Sequence, residues 1–132
     1  MTSQFRSLVW DKSITIYHHT ESKDVNGKTV TTWTRSQLSN CFYGLKKRQV
    51  VDGLALRSNN IHIVRIPASE ITEAFILSKG DIIVNGHVTD TLAVNDSGSA
   101  LRTKYAERCF VVNVWSDNRS LPATAHLVAS ED

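Results

Sequence analysis

The chain has 132 residues, 41% hydrophobic and 21% charged, with a formal net charge of +2. That length suits one domain with a modest core, and the composition excludes a disordered chain. A pI near 8.6 falls short of a nucleic-acid-binding domain, which usually exceeds about 9 with clustered Lys and Arg. Two cysteines, Cys41 and Cys109, are too few for a disulfide scaffold, and both lie in apolar stretches, which predicts buried thiols. The N-terminal MTSQFRSLVWDKS lacks the apolar run of a signal peptide, and no segment reaches the roughly 18 apolar residues of a membrane span. The expectation is a soluble protein made in a cytoplasm.

Residues 1–12 are mixed in character and read as an N-terminal arm. Ser13–His18 then alternates with period two and is rich in β-branched residues, which predicts a strand. Asp24-Val25-Asn26-Gly27-Lys28 predicts a hairpin, with Asn-Gly supplying the positive φ angles of a type I′ turn. Thr29–Arg35 is the returning strand. Gln37–Lys47 is expected as a further strand, with Gly44 marking a bulge or a close backbone approach. Residues 48–60 break at Asp52-Gly53 and read as a loop. Ile61–Ile66, closed by Pro67, has apolar residues on both faces and predicts a strand covered on both sides.

Residues 67–79 fit a weak helix or an extended loop, and both stay open. A second Asn-Gly pair, Asn85-Gly86, predicts a hairpin between Ile82–Val84 and His87–Thr89, extended by Leu92–Val94. Asp96 or Ser97 is the expected N-cap of a short helix near residues 99–108, with Leu101 and Tyr105 on one face. Cys109–Trp115 is the most apolar strand candidate and is expected in the core. Pro122–Val128 reads as a final strand. The predicted fold class is mainly β, a small barrel or sandwich of antiparallel strands with one short helix and long loops.

No motif announces catalysis. His18-His19 is the most metal-like feature, but adjacent strand residues point to opposite faces, so the two rings should diverge. His62, His87 and His126 stand alone in sequence, and no HExxH or CxxC occurs. Asp81 reads as turn chemistry, and Asp90 flanks the second predicted hairpin. No cofactor or metal site and no enzymatic activity are expected. The one basic cluster is Lys46-Lys47-Arg48, with Trp33, Phe42 and Tyr43 near it in sequence, which would suit an oligonucleotide-binding barrel or a surface meeting DNA without reading sequence.

The order of pieces carries more. A Tyr-containing first strand (Ile14–Tyr17) is followed by Thr32-Trp33-Thr34-Arg35, a strand ending near Gly44, and a stretch closed by Ile66-Pro67. Lys79-Gly80-Asp81-Ile82-Ile83-Val84-Asn85-Gly86, Lys104-Tyr105, Phe110–Trp115 and Ser116-Asp117-Asn118-Arg119 come after. This succession resembles small virion proteins of tailed phages and prophages of Gram-positive bacteria, the head-completion or neck proteins. The chain departs from that pattern at Leu121–Ala125. The resemblance implies a small β-barrel or sandwich that assembles as a ring between portal and tail, with no catalytic residues to carry over. It implies portal or adaptor and tail proteins as partners, passing contact with channel DNA, no membrane, and a place in the virion neck. Residues 1–12, 48–60 and 67–79 are then the candidate contact segments, with Lys46, Lys47 and Arg48 as a DNA-channel or partner-facing cluster. A tail-completion or tail-terminator protein and an oligonucleotide-binding barrel are the alternatives.

Overall fold

The structure is a computed structural model that describes residues 10–53, 55–72, 74–118 and 126–131. For 46–52 and 55–59 it describes the backbone course alone. The period-two run becomes strand β1 (Lys12–Lys23), which ends in the predicted first turn. There Asp24 Oδ1 accepts the amides of Asn26 and Lys28 at 2.8 and 2.9 Å, and Gly27 takes φ +79°. Gly27 alone has positive φ here, so a capped, glycine-closed loop replaces the expected type I′ form.

The two strands expected at 29–35 and 37–47 are one, β2 (Thr29–Asp52), 24 residues long. Its bend falls near Asn40, which takes φ 57°, a left-handed conformation that asparagine tolerates better than most residues. Around that residue β2 changes partner. It pairs with β1 up to Cys41, and from Phe42 to Asp52 with β3 (Ala55–Pro67). The segment 48–60, expected as a loop, is therefore the end of a hairpin. Its Asp52-Gly53 break is the turn itself, with Gly53 at φ +65°.

Strand β4 (Ile82–Asn85) lies between β1 and β5 (Cys109–Val111). On the other side β3 pairs with β7 (His126–Ser130), which pairs with β6 (Val114–Asp117). All seven form one antiparallel sheet in the order β5-β4-β1-β2-β3-β7-β6, curled into a half-barrel. The second Asn-Gly pair makes no hairpin. Gly86 takes φ +101°, but Asn85 does not share the positive φ that a type I′ turn needs at both positions. Instead the Gly86 amide donates to the Ser13 carbonyl at 2.7 Å, and residues 87–93 continue without regular structure.

Alternation on these strands sorts two clusters. Ile14, Ile16, Cys41, Val64, Ile66, Ile83, Phe110, Leu127 and Ala129 come from six strands and meet on the inner face. Tyr17, Ile82, Val84 and Cys109 face outward, where Val88, Leu101 and Leu92 cover them. Burying such Ile, Val and Phe side chains stabilises by about 1.5–3 kcal/mol each, so this two-faced packing fixes the register of β1 and β4. As predicted, β3 is apolar on both faces, with Ile61, Ile63, Val64 and Ile66 all buried. The apolar run 109–115 is only partly core. Cys109, Phe110 and Val112 are buried, but Val114 and Trp115 are 51% and 38% exposed.

In the segment 67–79, Pro67 closes β3, and the rest holds one 3-10 turn (Ala68–Glu70) and otherwise, among the described residues, no regular element. Helix α1 (Ser99–Lys104) is shorter than expected, and a 3-10 turn at Ala106–Arg108 follows it. Its N-cap is Gly98, whose amide donates to Asp96 Oδ1 at 2.8 Å. Residues 1–9 and 119–125, in the predicted N-terminal arm and final strand, lie outside the described residues. No helix among the described residues is long and apolar enough to cross a membrane.

Candidate assembly surface

The sheet projects one arm. β7 pairs with β3 only over Ile63–Pro67, and the last backbone contact on that side is the Glu131 amide donating to the His62 carbonyl at 3.3 Å. β1 has left β2 by Phe42. From Lys46↔Ile61 to Asp52↔Ala55, β2 and β3 therefore pair, among the described strands, only with each other. Seven rungs at about 3.4 Å each make a ribbon of roughly 24 Å. A two-stranded ribbon by itself is at best marginal in water. The basic cluster is at its root: Lys46, Lys47 and Arg48 stand in register with Ile61, Asn60 and Asn59, and their side chains lie outside the description.

Below the root the hairpin is tied to the core. The Tyr43 ring packs 5.9 Å from Phe110 and 5.7 Å from His62. Burial pushes the Tyr43 phenol above its ordinary range. Gly44 marks neither a bulge nor a backbone approach. A Cβ there would sit 2.7 Å from the Phe42 ring, so the glycine makes room for an aromatic side chain on its own strand. Leu45, the next residue out, is 59% exposed.

The first hairpin is braced by contrast. Trp33 donates its indole N–H to the Asp96 carbonyl at 2.8 Å, and Thr31 and Asn95 exchange hydrogen bonds at 2.8 and 2.9 Å. Trp33 belongs to the outer cluster and Tyr43 to the inner one. The aromatics that an oligonucleotide-binding platform would need on one face are thus split between two faces.

Where β1 runs past β4, His18 and His19 converge. Tyr17↔Ile82 is the last β1–β4 pair, which brings Asp81 level with His18 at the strand edge. The Nδ1–H of His18 donates to Asp81 Oδ2 at 2.7 Å, and the Nδ1–H and amide of His19 donate to Oδ1 at 2.5 and 3.0 Å. Ser78 adds its amide to Oδ2 at 2.8 Å. The divergence expected of adjacent strand residues is overcome because the carboxylate lies at the strand edge, between the two faces. Asp81 is 0% exposed, and a buried carboxylate stands only with such partners.

An Asp-oriented imidazole is also the support of a catalytic base. Here the His19 ring is hemmed in by Trp33 at 5.3 Å and by Gly80, where a Cβ would lie 3.0 Å from Cε1. The two ring centroids are 6.3 Å apart, so their Nε2 atoms come no closer than about 4 Å, beyond the ~3.3 Å between two nitrogens on one tetrahedral zinc. Among the described residues no group of three His, Cys, Asp or Glu could hold a metal ion. The clasp ties β1 to the loop before β4. No sequence spacing could reveal it, since 62 and 63 positions separate Asp81 from the histidines.

Asp90 gathers a second network. Tyr105 and Lys104 donate to its carboxylate at 2.5 and 2.8 Å, and Tyr17 donates to its carbonyl at 2.7 Å. Those bonds, from Lys104 first and then Tyr105, hold the Asp90 carboxyl below its usual range. Burial raises the Tyr17 phenol. His87 is exposed, with its Nε2 at 2.9 Å from the Leu38 carbonyl, and both cysteines are buried free thiols.

These features define a mainly antiparallel β half-barrel that carries a two-stranded arm. The chain belongs to a family of unknown function, DUF6751, whose family model matches residues 9–129. No curated protein and no solved structure matches it significantly.

Proposed function

We propose that the chain is a structural subunit of a tailed phage or prophage virion, a head-completion or head–tail connector protein that works as a ring between portal and tail. The observation that carries this reading is the arm: from Lys46 to Ile61 the paired β2 and β3 run past the other described strands of the sheet, a shape suited to a neighbour. The resemblance in the order of sequence pieces, from Ile14–Tyr17 to Ser116–Arg119, supplies the virion context. A head-to-tail contact of this kind closes into a ring when its rotation allows. The subunit then needs no cofactor and no active site. Lys46, Lys47 and Arg48 at the arm root would meet a portal, adaptor or tail protein, or touch passing DNA without reading its sequence.

The test is retention on immobilised portal, adaptor and tail-tube proteins of the phage or prophage encoding this chain, paired with deletion of its gene. Retention by portal or adaptor, together with heads that fail to join tails in the deletion, supports the connector reading. Retention by the tail tube alone moves the protein to tail completion. A deletion that still joins heads to tails, with no retention on any of these proteins, refutes it.

A further inference from the structure

We propose that the cleft at the C-terminal end of helix α1 is a binding site for a phosphate group, held by Arg108 and Lys104. This goes beyond the assembly reading and does not depend on the arm. Residues 103–108 line an open cleft of about 310 Å³. Ligand pockets run from roughly 300 to 1,000 Å³, so the cleft suits a small polar group. Its two hydroxyls already have acceptors: Thr103 donates to the Ser99 carbonyl at 2.9 Å, and Tyr105 donates to Asp90 at 2.5 Å. The charged donors of the cleft are Lys104 and Arg108. Lys104 places one N–H of its three on Asp90 at 2.8 Å and stands 5.3 Å from the Tyr105 ring centroid.

Arg108 is held but not used. Its Cζ lies 4.8 Å from the Tyr105 ring centroid, and its Nη1 lies against Gly86, where a Cβ would be 3.7 Å away. Among the described residues its side chain nevertheless makes no ion pair and donates no hydrogen bond. Glu107, its chain neighbour in the same cleft, does not pair with it. Fixing a long charged side chain costs about 1.5–2 kcal/mol of rotamer entropy, and an exposed cation–π contact returns only about 0.5–1. That contact spends no N–H, so the donor fork of the guanidinium remains. Arg102 and Lys104 sit in the last turn of α1, where cations complement the helix dipole. Arg108 lies past the helix, in the following 3-10 turn, so the helix end does not account for it. A fork and a second cation on one cleft suit a tetrahedral dianion, whose oxygens can accept from both; the fork alone would satisfy a carboxylate.

The test is inorganic phosphate added to the full chain at constant ionic strength. It should shift the amide resonances of 103–108 and of Gly86 and then saturate. Arg108→Gln should weaken the binding about tenfold or more, through loss of charge-assisted hydrogen bonds. Glu107→Gln removes a carboxylate from the cleft and should tighten binding about twofold, a gain that no folding defect can produce. Arg102→Gln removes a likewise exposed cation that does not line the cleft, and should change the affinity by less than about twofold. Ethyl phosphate and diethyl phosphate separate the sources of the group. Tighter binding of the monoester names a phosphorylated small molecule, and tighter binding of the diester names a nucleic-acid backbone. The site is overturned by an absence of saturable shifts at 103–108, by acetate acting as strongly as phosphate, or by equal losses in Arg102→Gln and Arg108→Gln.

Discussion

Val112 and Asn113, adjacent in the chain, donate their amides to opposite sides of the curled sheet: Val112 to the Asp81 carbonyl at 2.7 Å, Asn113 to the Ser130 carbonyl at 3.0 Å. One peptide step thus carries the chain from the β5 edge to the β6 edge and bridges the half-barrel. Val112→Ala should cost about 2 kcal/mol through the cavity it leaves, since Val112 is fully buried. Asn113→Pro removes the second donor and should cost a similar amount, about 1–3 kcal/mol. Hydrogen exchange tells them apart. Only the proline variant should speed exchange selectively in Val114–Asp117; equal exchange in both variants would mean that the step does not hold β6.

That bridge also shows what could be read in advance. The run Cys109–Trp115 is legible as a strand because it is continuously apolar, but nothing in it marks where the core stops. Val114 and Trp115 are apolar like Phe110 and are still exposed. Period two placed Ile14 and Ile16 correctly opposite Thr15 and Tyr17, because local sterics and burial agree there. Asn85-Gly86 failed because turn propensity is local, whereas β4 finds its partners in β1 and β5, far away in sequence. The arm is half legible: the sequence shows a break at Asp52-Gly53 but reads 48–60 as a loop, because the apolar Val50, Val51 and Leu56 do not alternate with polar residues as a half-buried strand would. The clasp at Asp81 was invisible, since its parts meet only in the fold.

Asp81→Ala strips four donors of their acceptor and leaves two imidazoles at a vacated buried site. The expected loss is about 3 kcal/mol, the scale for removing one partner of a buried charged network. Asp81→Asn keeps the volume, but its amide nitrogen faces donors, so it should recover only part of that loss. Urea unfolding measures both. Equal stability of Asp81→Ala and wild type would show that the clasp contributes nothing.

Gly98 is constrained twice. Its φ of +79° lies in the left-handed region, and an added Cβ would meet Ile82 Cδ1 at 2.6 Å. Ile82 is 1% exposed and cannot swing into solvent. Gly98→Ala should therefore destabilise by about 2 kcal/mol or more, combining backbone strain with overpacking. Gly53→Ala has φ +65° but nothing within 4 Å, so it should cost clearly less. A thermal melt of the pair checks this, and equal shifts would remove the Ile82 contact as a cause.

The bracing of the two hairpins predicts unequal protection. Thr31 is held to Asn95 by two hydrogen bonds, and Trp33 to Asp96 by one. Trp33→Phe deletes the indole donor and should weaken the fold by about 1 kcal/mol. In the unassembled subunit, amides of 47–51 should exchange faster than those of 30–34. When copies associate, the order should reverse as the arm gains partners. Slow exchange of 47–51 in dilute protein would mean that the arm is already held within its own subunit.

Cys41 gives a test at alkaline pH. Burial first, and the Glu70 carboxylate second, push its thiol from the ordinary 9.0 to about 12. Cys109 is raised too, also by burial. Below pH 9 the thiol carries its proton in both the folded and the unfolded chain and gives stability no pH dependence. Between 9 and about 12 the unfolded chain releases that proton while the folded chain holds it, so stability falls as pH rises through this window. Cys41→Ser keeps a small polar side chain that does not ionise there, and its stability should decline less steeply over the same range. Since the thiolate is the reactive form, Ellman's reagent at pH 8 should label neither cysteine until the chain unfolds. Prompt labelling of two thiols in the folded protein, or identical alkaline slopes for the variant and wild type, would show that Cys41 is not sealed in the inner cluster.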